Sequence, residues 1–389
     1  MTNLPFDTVS VDGFRGLRNL RLEELGSINL LVGGNNSGKS SVLEAISLLA
    51  SPDEASEWGR VVERRDYGGL DESRVLSLRW CFNRDMFADL DEAVNISLEC
   101  EFGVEGAYPL RSMTSIYTEH IAPLQQVASK DYLELIIKYS PNIFGRDFSK
   151  PDSPVRVAEI KNRLTWVDGV KNVSSPKPFR VSQLGNSFSI DADKNVARRS
   201  KHGLSRAILL PYSYQLNDLQ VASRTKQLEL DKDELFIDLI REFDSDIISV
   251  EVGSFQSFRP AIYIKHKKLG VAPLSIFGDA MRRCLLIATT ITQLGQGGVL
   301  LLDEVEVGIH TSCLPKVFKW LANVANRMEI QVFASTHSLE VLDALLEAKV
   351  SENEIVTYNL KQGASRTKNI RYSGGDLHRI RYERGLDIR

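Results

Sequence analysis

The sequence predicts an α/β fold with a mixed, mainly parallel sheet, flanking helices and an inserted subdomain. Three observations lead to this prediction. A glycine-rich loop joins a strand to a helix near the N-terminus, single apolar strands alternate with helices in the last third of the chain, and the middle has weaker periodicity. Strands that alternate with helices pair in parallel, because each helix returns the chain to the same end of the sheet.

The same patterns divide the chain into segments. We expect one discontinuous head, formed by 1–100 and 231–345. Residues 101–230 are expected to form an inserted subdomain that contacts other subunits or a partner. Residues 346–389 are expected to form a basic segment packed on or beside the head. Within the first segment, 75–80 and 94–98 are rich in β-forming residues and are predicted as strands. No heptad pattern is sustained through the middle, so no long coiled coil is expected.

Length and composition are those of an ordinary globular protein. The 389 residues are 43% hydrophobic and 25% charged, and the formal net charge is −3. No apolar run is long enough to span a bilayer, and the N-terminus lacks the basic and apolar regions of a signal peptide. The four cysteines are far apart and form no CxxC pair, which is typical of buried thiols in a reducing compartment. We therefore expect a cytoplasmic protein without a membrane partner.

The phosphate-binding signal is a strand, a loop and a helix in direct succession. The apolar run 28–32 is typical of a buried strand, 33–40 fits the Walker A pattern GxxxxGK[ST], and 41–50 has apolar residues at helical spacing. Glycines let the loop turn tightly, so that backbone N–H groups and the helix N-terminus point at phosphate oxygens. Lys39 would reach the β- and γ-phosphates, and Ser40 would be a ligand of Mg²⁺. The predicted nucleotide-binding residues here are Gly33, Asn35, Asn36, Ser37, Gly38, Lys39, Ser40 and Ser41.

Two acids follow a continuously apolar strand. Residues 299–302 are Val-Leu-Leu-Leu, and Asp303 and Glu304 come directly after them. A fully apolar strand belongs in the middle of a parallel sheet, and its carboxyl end borders the crevice where α/β proteins bind ligands. We therefore predict that Asp303 holds Mg²⁺ and that Glu304 orients and deprotonates the attacking water.

A histidine follows the next apolar strand. This strand, 330–334, is separated from Glu304 by one helix, and His337 comes three residues after it. That spacing places His337 on the neighbouring strand of a parallel sheet, where it can contact the γ-phosphate or the water. We predict that His337 is a catalytic residue that senses the γ-phosphate, although a lone histidine is more often structural.

Together these segments resemble the ABC-type ATPases of the RecF, SMC and Rad50 kind. The opening 13–17, Gly-Phe-Arg-Gly-Leu, is similar to the start of that family's sequences. The resemblance covers about 1–50 and 270–345, and it implies that two copies of the head close ATP between them in composite sites. It also implies that Arg15 contacts nucleotide phosphates. ATP, Mg²⁺ and a homodimer or higher homo-oligomer are therefore expected.

The family's signature loop, which caps the ATP bound by the partner copy, has its candidate at 274–279. The residues are Leu-Ser-Ile-Phe-Gly-Asp, and Ser275 and Gly278 match the small polar and glycine positions of LSGGQ. The segment departs from that pattern with bulky apolar residues in the middle and an aspartate at the end. Arg282 and Arg283 follow on the next helix and would add positive charge. The alternative interpretation is an ordinary helix cap.

More narrowly, 273–279 with Arg282 and Arg283, 303–310 and 335–338 resemble the overcoming-lysogenisation-defect (OLD) branch. Together with the ending 383–389, they are also similar to the stand-alone AAA15/AAA21 ATPases, which include the ATPase subunit of the PARIS anti-phage system. OLD nucleases carry a C-terminal Toprim domain, for which too few residues follow His337. The resemblance therefore implies an ATP-hydrolysing scaffold or sensor of a bacterial anti-phage defence system that controls a separate effector protein, such as a nuclease. A RecF-like DNA-binding ATPase of replication or repair is the alternative. No glutamine for the family's Q-loop can be placed, and Asn83 is a substitute candidate.

Two basic clusters bear on a nucleic-acid partner. The tail 361–389 has eight basic residues against three acids, and a second cluster is Lys194, Arg198, Arg199, Lys201 and Arg206. Such clusters bind nucleic acid or an acidic partner, or they form solvated surfaces. Neither has the interleaved aromatic residues of a platform that stacks single-stranded bases.

Overall fold

The computed structural model describes most of the chain. The described residues are 4–65, 74–82, 96–127, 142–143, 146–147, 150–166, 173–174, 179–182, 203–229, 233–254, 259–348, 350–351, 354–363, 365–385 and 387–388. The α-helices in this part are Lys39–Ala50, Ala55–Glu63, Arg74–Arg79, Leu124–Val127, Asn217–Glu229, Asp233–Phe243, Asp279–Leu294, Leu314–Met328, Leu339–Glu347 and Gly374–His378. None of these described helices is both long enough and apolar enough to cross a membrane.

A six-stranded sheet forms the centre of the molecule. In spatial order its strands are Arg206–Leu209, Val299–Leu302, Gln331–Ser335, Ile28–Val32, Ile355–Lys361 and Lys368–Ser373. All neighbours pair in parallel except the last two, which are antiparallel. Helices connect the parallel strands, as the alternating pattern predicts. The predicted α/β fold with a mixed sheet and flanking helices is therefore confirmed.

A second, antiparallel sheet lies on the other side of the helix Lys39–Ala50. In spatial order its strands are Phe179–Ser182, Pro154–Trp166, Leu110–Pro123, Ile96–Glu105, Thr8–Asp12 and Leu20–Leu22, with Val173–Ser174 paired to Pro154–Trp166. Two smaller sheets are formed by Ile247–Gly253, Ala261–His266 and Gly270–Pro273, and by Asn142–Ile143 and Arg146–Asp147.

Side chains on the central strands alternate between two apolar cores. Leu31 and Leu301 pack with the helix Lys39–Ala50 and with the antiparallel sheet. Leu30 and Leu300 point the opposite way and pack with helices such as Asp279–Leu294. A strand covered on both faces must be apolar throughout, which explains the uninterrupted runs in the sequence.

The strands of 101–230 belong to both large sheets. Thr8–Asp12 pairs with Ile96–Glu105, which continues into the rest of the antiparallel sheet. Arg206–Leu209 pairs in parallel with Val299–Leu302. In the tail, Ile355–Lys361 pairs in parallel with Ile28–Val32. Segments expected as an insertion and as an appended tail thus contribute strands to the same sheets as the rest of the head.

One predicted strand is wrong. Residues 75–80 were expected to be extended, but Arg74–Arg79 is a helix. Val75 and Leu78, three residues apart, are buried on one face, whereas Trp80 is 45% exposed. The preference of these residue types for strands largely reflects how their side chains pack on a sheet. Here the same side chains are buried on one face of a helix instead, and this packing decides the structure. The other predicted strand, 94–98, begins at Ile96 in the structure, and its first two residues lie outside the described ones.

Candidate nucleotide-binding and hydrolysis site

The phosphate loop has a backbone that requires its glycines. Gly33 and Gly38 have φ values of 143° and 98°, a region that side chains disfavour. A Cβ on Gly33 would lie 2.5 Å from the carbonyl oxygen of Leu360, and one on Gly38 would lie 2.7 Å from Leu17 Cδ2. Substitution at either glycine would therefore move the loop or its surroundings.

The loop presents donors that fit a phosphate group. The helix Lys39–Ala50 begins directly after Gly38, and no side chain caps its N-terminus. Its first N–H groups therefore point out of the helix without a capping acceptor, which is the arrangement that binds phosphates. Asn35 and Asn36 are exposed on the rim of the loop, whereas Ser37 is buried.

Lys39 lies folded into the loop. Its Nζ donates to the carbonyl oxygens of Gly33 and Gly34 at 2.9 and 3.0 Å, and it lies 3.3 Å from His337 Nδ1. Burial lowers the pKa of Lys39, while the negative charges of nearby acids, first Asp303, act to raise it. Among the described residues, the hydrogen-bond partners of this cation are neutral oxygens and an imidazole, which leaves it matched to an incoming anion.

The predicted metal ligands are next to each other. Asp303 Oδ1 accepts hydrogen bonds from Ser40 Oγ at 3.1 Å and from Ser335 Oγ at 2.5 Å. Hydroxyl and carboxylate oxygens are the donors that Mg²⁺ prefers, so this pair fits the ion. The two residues come from different strand-to-helix connections, and they meet because parallel strands end at the same edge of the sheet.

Glu304 follows on the same edge with an unusual backbone. Its φ is 47°, which is uncommon for a residue other than glycine. The conformation is fixed by its backbone N–H, which donates to Ser335 Oγ at 2.9 Å, and by Val305 N–H, which donates to the Ser335 carbonyl at 3.0 Å. Among the described residues, no hydrogen bond engages the carboxylate of Glu304. A strained backbone that presents an unengaged carboxylate is typical of functional sites.

His337 lies at the end of the neighbouring strand, as predicted, and its ring faces Lys39. Its backbone N–H donates to Glu306 Oε1 at 3.1 Å, and Thr336 Oγ1 donates to the same oxygen at 2.8 Å. The structure thus brings His337, Lys39, Ser40, Asp303 and Glu304 to one edge of the central sheet.

Sequence reasoning missed two residues of this cluster. Glu306 was part of the segment 303–310 that carries the resemblance, but no role was predicted for it, because its contact with the His337 loop depends on strand order. Arg283 was expected to add surface charge, yet it is fully buried. Its guanidinium donates to the carbonyl oxygens of Leu210 at 2.6 Å and Asp303 at 3.2 Å. Burial lowers the pKa of Arg283. No periodicity in the sequence marks either contact.

The signature candidate, 274–279, lies between the strand Gly270–Pro273 and the helix Asp279–Leu294. Ser275 and Gly278 are exposed, and the side chain of Ile276 is 60% exposed. A Cβ on Gly278 would meet no atom within 4 Å. The segment is therefore open to solvent in a single chain.

Arg15 is placed differently from the other predicted nucleotide contacts. It has φ 52° and is buried, and its Nε lies 2.6 Å from Glu44 Oε2 on the helix Lys39–Ala50. Arg65 also binds Glu44, with Nε 2.8 Å from Oε1, and it donates to Ser41 Oγ at 3.2 Å. Contact between Arg15 and phosphates stays a prediction, and it would have to compete with this ion pair.

The basic clusters are only partly described. Asn83 and the members Lys194, Arg198, Arg199 and Lys201 lie outside the described residues. Arg206 binds Glu54 and Glu57 at 3.1 and 2.5 Å. In the tail, three arginines form ion pairs with acids, namely Arg371 with Glu24, Arg379 with Asp376 and Arg381 with Asp343. Part of the basic charge is therefore neutralised within the protein.

A parallel sheet that presents a glycine loop with a buried lysine, opposite a strand-end acid pair, defines a P-loop nucleoside triphosphatase. A profile of the AAA_15 family, described as AAA ATPase domain, matches residues 6–342. The match covers most of the chain, so the chain belongs to this family. The prediction of an ATPase is confirmed by that membership.

The chain is also similar to individual proteins. It is 22% identical over 377 residues to the ATP/GTP phosphatase of Helicobacter pylori, covering 91% of this chain and 92% of that protein. It resembles the solved SmcHead bound to the C-winged helix domain of ScpA, with a TM-score of 0.47 and 11% identity over 98% of this chain and 99% of that one. It also resembles the SMC head domain from Thermotoga maritima, with a TM-score of 0.42 and 13% identity over 95% and 99%.

Proposed function

We propose that the chain hydrolyses ATP at composite sites formed between two copies, and that nucleotide state controls how the copies assemble. The observation that carries this proposal is the cluster at the edge of the central sheet. Ser40 donates to Asp303, and Lys39 faces His337, across two different strand ends. The name of the Helicobacter pylori relative, ATP/GTP phosphatase, supports hydrolysis of a nucleoside triphosphate.

Each residue of the cluster has a chemical task. The loop N–H groups and Lys39 bind the phosphates. Mg²⁺, held by Ser40 and Asp303, would neutralise the phosphate charge that grows in the transition state. Glu304 orients the attacking water and accepts its proton, because its carboxylate is the unengaged base of the cluster. His337 contacts the γ-phosphate, so its position depends on whether that phosphate is present.

The second half of each site comes from the partner copy. Gly278 is exposed directly before the helix Asp279–Leu294, where backbone N–H groups are open to an anion, and Ser275 is exposed in the turn Leu274–Ile276 that precedes it. In this proposal they close over the γ-phosphate bound by the other copy. ATP then holds the dimer shut, and hydrolysis opens it.

The biological role we propose is a scaffold or sensor of bacterial anti-phage defence that holds a separate effector protein. Its support is the likeness of 303–310 and 335–338 to the OLD branch and the stand-alone ATPases. A RecF-like DNA-binding ATPase is the second candidate. A basic surface favours it: the helix Leu314–Met328 exposes Lys316, Lys319 and Arg327 beside Arg241.

Glu304→Gln tests the proposed hydrolysis. Loss of a general base costs about 10²- to 10⁴-fold in rate. We expect a drop of that size in kcat, with ATP still bound and a dimer trapped in ATP and Mg²⁺, as seen by steady-state assay and light scattering. Glu347→Gln, the same change at an exposed acid, is the matched control. A wild-type rate for Glu304→Gln would refute the assignment of the base.

The trapped variant also separates the two biological roles. Glu304→Gln would be purified with its native neighbouring genes expressed, in ATP and Mg²⁺. A stoichiometric second protein supports the ATP-gated scaffold. Duplex DNA without a protein partner supports the RecF-like role. In that case Lys319→Glu should weaken DNA binding and flatten its salt dependence, because fewer phosphates are then neutralised.

A further inference from the structure

Glu306 joins two loops of the site by hydrogen bonds that leave one of its oxygens unused. Its Oε1 accepts from Thr336 Oγ1 and from the backbone N–H of His337. Its Oε2 is buried and has no hydrogen-bond partner among the described residues. A buried carboxylate oxygen without a hydrogen-bond partner destabilises the folded protein. This arrangement is therefore not expected of a glutamate at an ordinary polar surface position.

The bonds to Glu306 complete a series between the two strand ends. The backbone N–H of Glu304 donates to Ser335 Oγ, and Val305 N–H donates to the Ser335 carbonyl. The next contacts in the series are those of Glu306 with Thr336 and His337. Successive residues of the turn after Asp303 therefore hold successive residues of the loop that ends in His337.

The last contact decides where the imidazole lies. The backbone of His337 is fixed by Glu306, and its Nδ1 lies 3.3 Å from Lys39 Nζ. The carboxylate of Glu306 therefore holds the residue whose ring lies beside Lys39, without being part of the phosphate loop itself.

We propose that Glu306 is a positioning residue for hydrolysis, which holds the His337 backbone so that the imidazole stays beside Lys39. This inference rests on the proposed function, because His337 must act on the γ-phosphate. In this role Glu306 accepts hydrogen bonds and does not transfer a proton. A displacement of about 1 Å at a catalytic group can cost about 100-fold in rate.

Two substitutions separate acceptance from charge. Glu306→Gln keeps an oxygen that accepts both bonds, whereas Glu306→Ala removes it. We expect Glu306→Ala to lower kcat by about 10- to 100-fold with KM for ATP changed less than about 3-fold, and Glu306→Gln to stay within about 3-fold of wild type. If Glu306→Gln is as slow as Glu306→Ala, the charge matters and the inference is wrong.

A double-mutant cycle with His337→Ala supplies the second readout. If Glu306 acts through His337, Glu306→Ala should cause little further loss once His337 is removed. Independent, multiplying losses would overturn the inference. If Glu306→Ala shows no cooperative thermal melt, the cycle is made with Thr336→Val instead, because this change removes one of the two hydrogen bonds to the same Glu306 oxygen. The reduction in kcat caused by Thr336→Val should likewise disappear when His337 is already alanine.

The failure of this inference is distinct from the failure of the proposed function. Multiplying losses at Glu306 and His337 with an inactive Glu304→Gln would overturn only the positioning role. A wild-type rate for Glu304→Gln would overturn the hydrolysis site itself. A wild-type rate for His337→Ala would remove the residue through which Glu306 is said to act, and with it the inference.

Discussion

The cluster of Lys39, Ser40, Asp303, Glu304 and His337 and the signature candidate 274–279 differ in how complete they are in one chain. In the cluster, Ser40, Ser335 and Asp303 are joined by hydrogen bonds, and Lys39 is buried. In 274–279, by contrast, Ser275 and Gly278 are exposed, and a Cβ on Gly278 would meet nothing. The first region is built by the fold of the single chain. The second is presented by that fold but not enclosed by it.

This difference indicates where regulation of the proposed site can act. A preformed binding half captures nucleotide at little reorganisation cost. The open half contributes only when another surface covers it, so turnover depends on assembly. The predictions below test whether this division between the two regions is real.

The largest expected effect on nucleotide binding is in the preformed half. Lys39→Ala removes the buried cation of the loop, and hydrogen bonds to charged groups are worth about 1.5–3 kcal/mol. We expect ATP affinity to fall by about 10- to 100-fold, measured by titration calorimetry. Lys319→Ala, at an exposed lysine outside the cluster, should leave affinity unchanged. Equal affinities for wild type and Lys39→Ala would mean that the cluster does not bind the phosphates.

The next effect isolates the open half. Gly278→Asp places a carboxylate where the proposal puts a γ-phosphate, and aspartate is a good residue to precede a helix, so folding should be unaffected. We expect nearly complete loss of turnover with ATP affinity retained. Gly278→Ser, small and uncharged, is the matched control and should keep most activity.

Mixed dimers of two variants test whether the two regions act together across two chains. A dimer of one Lys39→Ala chain and one Gly278→Asp chain contains one intact composite site. At an ATP concentration too low to occupy the Lys39→Ala loop, we expect the mixture to hydrolyse ATP faster than either variant alone. Persistent inactivity of a mixture that demonstrably forms mixed dimers would indicate that each chain completes its own site.

The same comparison explains how much the sequence could predict. The loop 33–40 and the pair Asp303 and Glu304 are contiguous, and their functions follow from local geometry that neighbouring residues determine. His337 could be placed because one helix between two strands implies adjacent strand ends. The fold class followed from the same alternation of strands and helices.

Contacts between distant segments could not be predicted. Glu306 and Arg283 gain their roles from strand order, which a single sequence does not specify. The strand Arg206–Leu209 lies at the edge of the central sheet, and its first three residues are half-buried. Its four residues were too short a signal to mark a strand within the weakly periodic segment 101–230. The helix Arg74–Arg79 formed against its propensity because Val75 and Leu78 are buried together. Tertiary packing decided each case.

The smallest expected effect concerns the support of the preformed half. Glu57 is buried beside the helix Lys39–Ala50, where it accepts a hydrogen bond from Ser47. Burial alone would raise the pKa of Glu57, but Arg64 and Arg206, with the bond from Ser47, lower it to about 2. From an unfolded value near 4.5 this shift corresponds to about 3 kcal/mol of stability.

The sign of the effect follows from the lowered pKa. The stabilisation is complete above the unfolded pKa of Glu57 and is lost as the pH falls from about 4.5 towards 2. We expect Glu57→Gln to lower the free energy of unfolding at pH 7 and to reduce its loss between pH 5 and 3, measured by urea denaturation. Glu347→Gln should match wild type at every pH. An unchanged acid profile in Glu57→Gln would show that this carboxylate does not govern acid stability.

The position of the strand Ile28–Val32 has a consequence for biosynthesis. It lies between Gln331–Ser335 and Ile355–Lys361, so both of its hydrogen-bonded neighbours are made by the ribosome long after it. Such pairings between remote segments slow folding, and they leave an apolar strand unpaired during translation. The phosphate loop therefore acquires its support only after the strand Ile355–Lys361 has been made. A nascent chain interrupted before the last of these strands would expose an aggregation-prone edge and depend on chaperones.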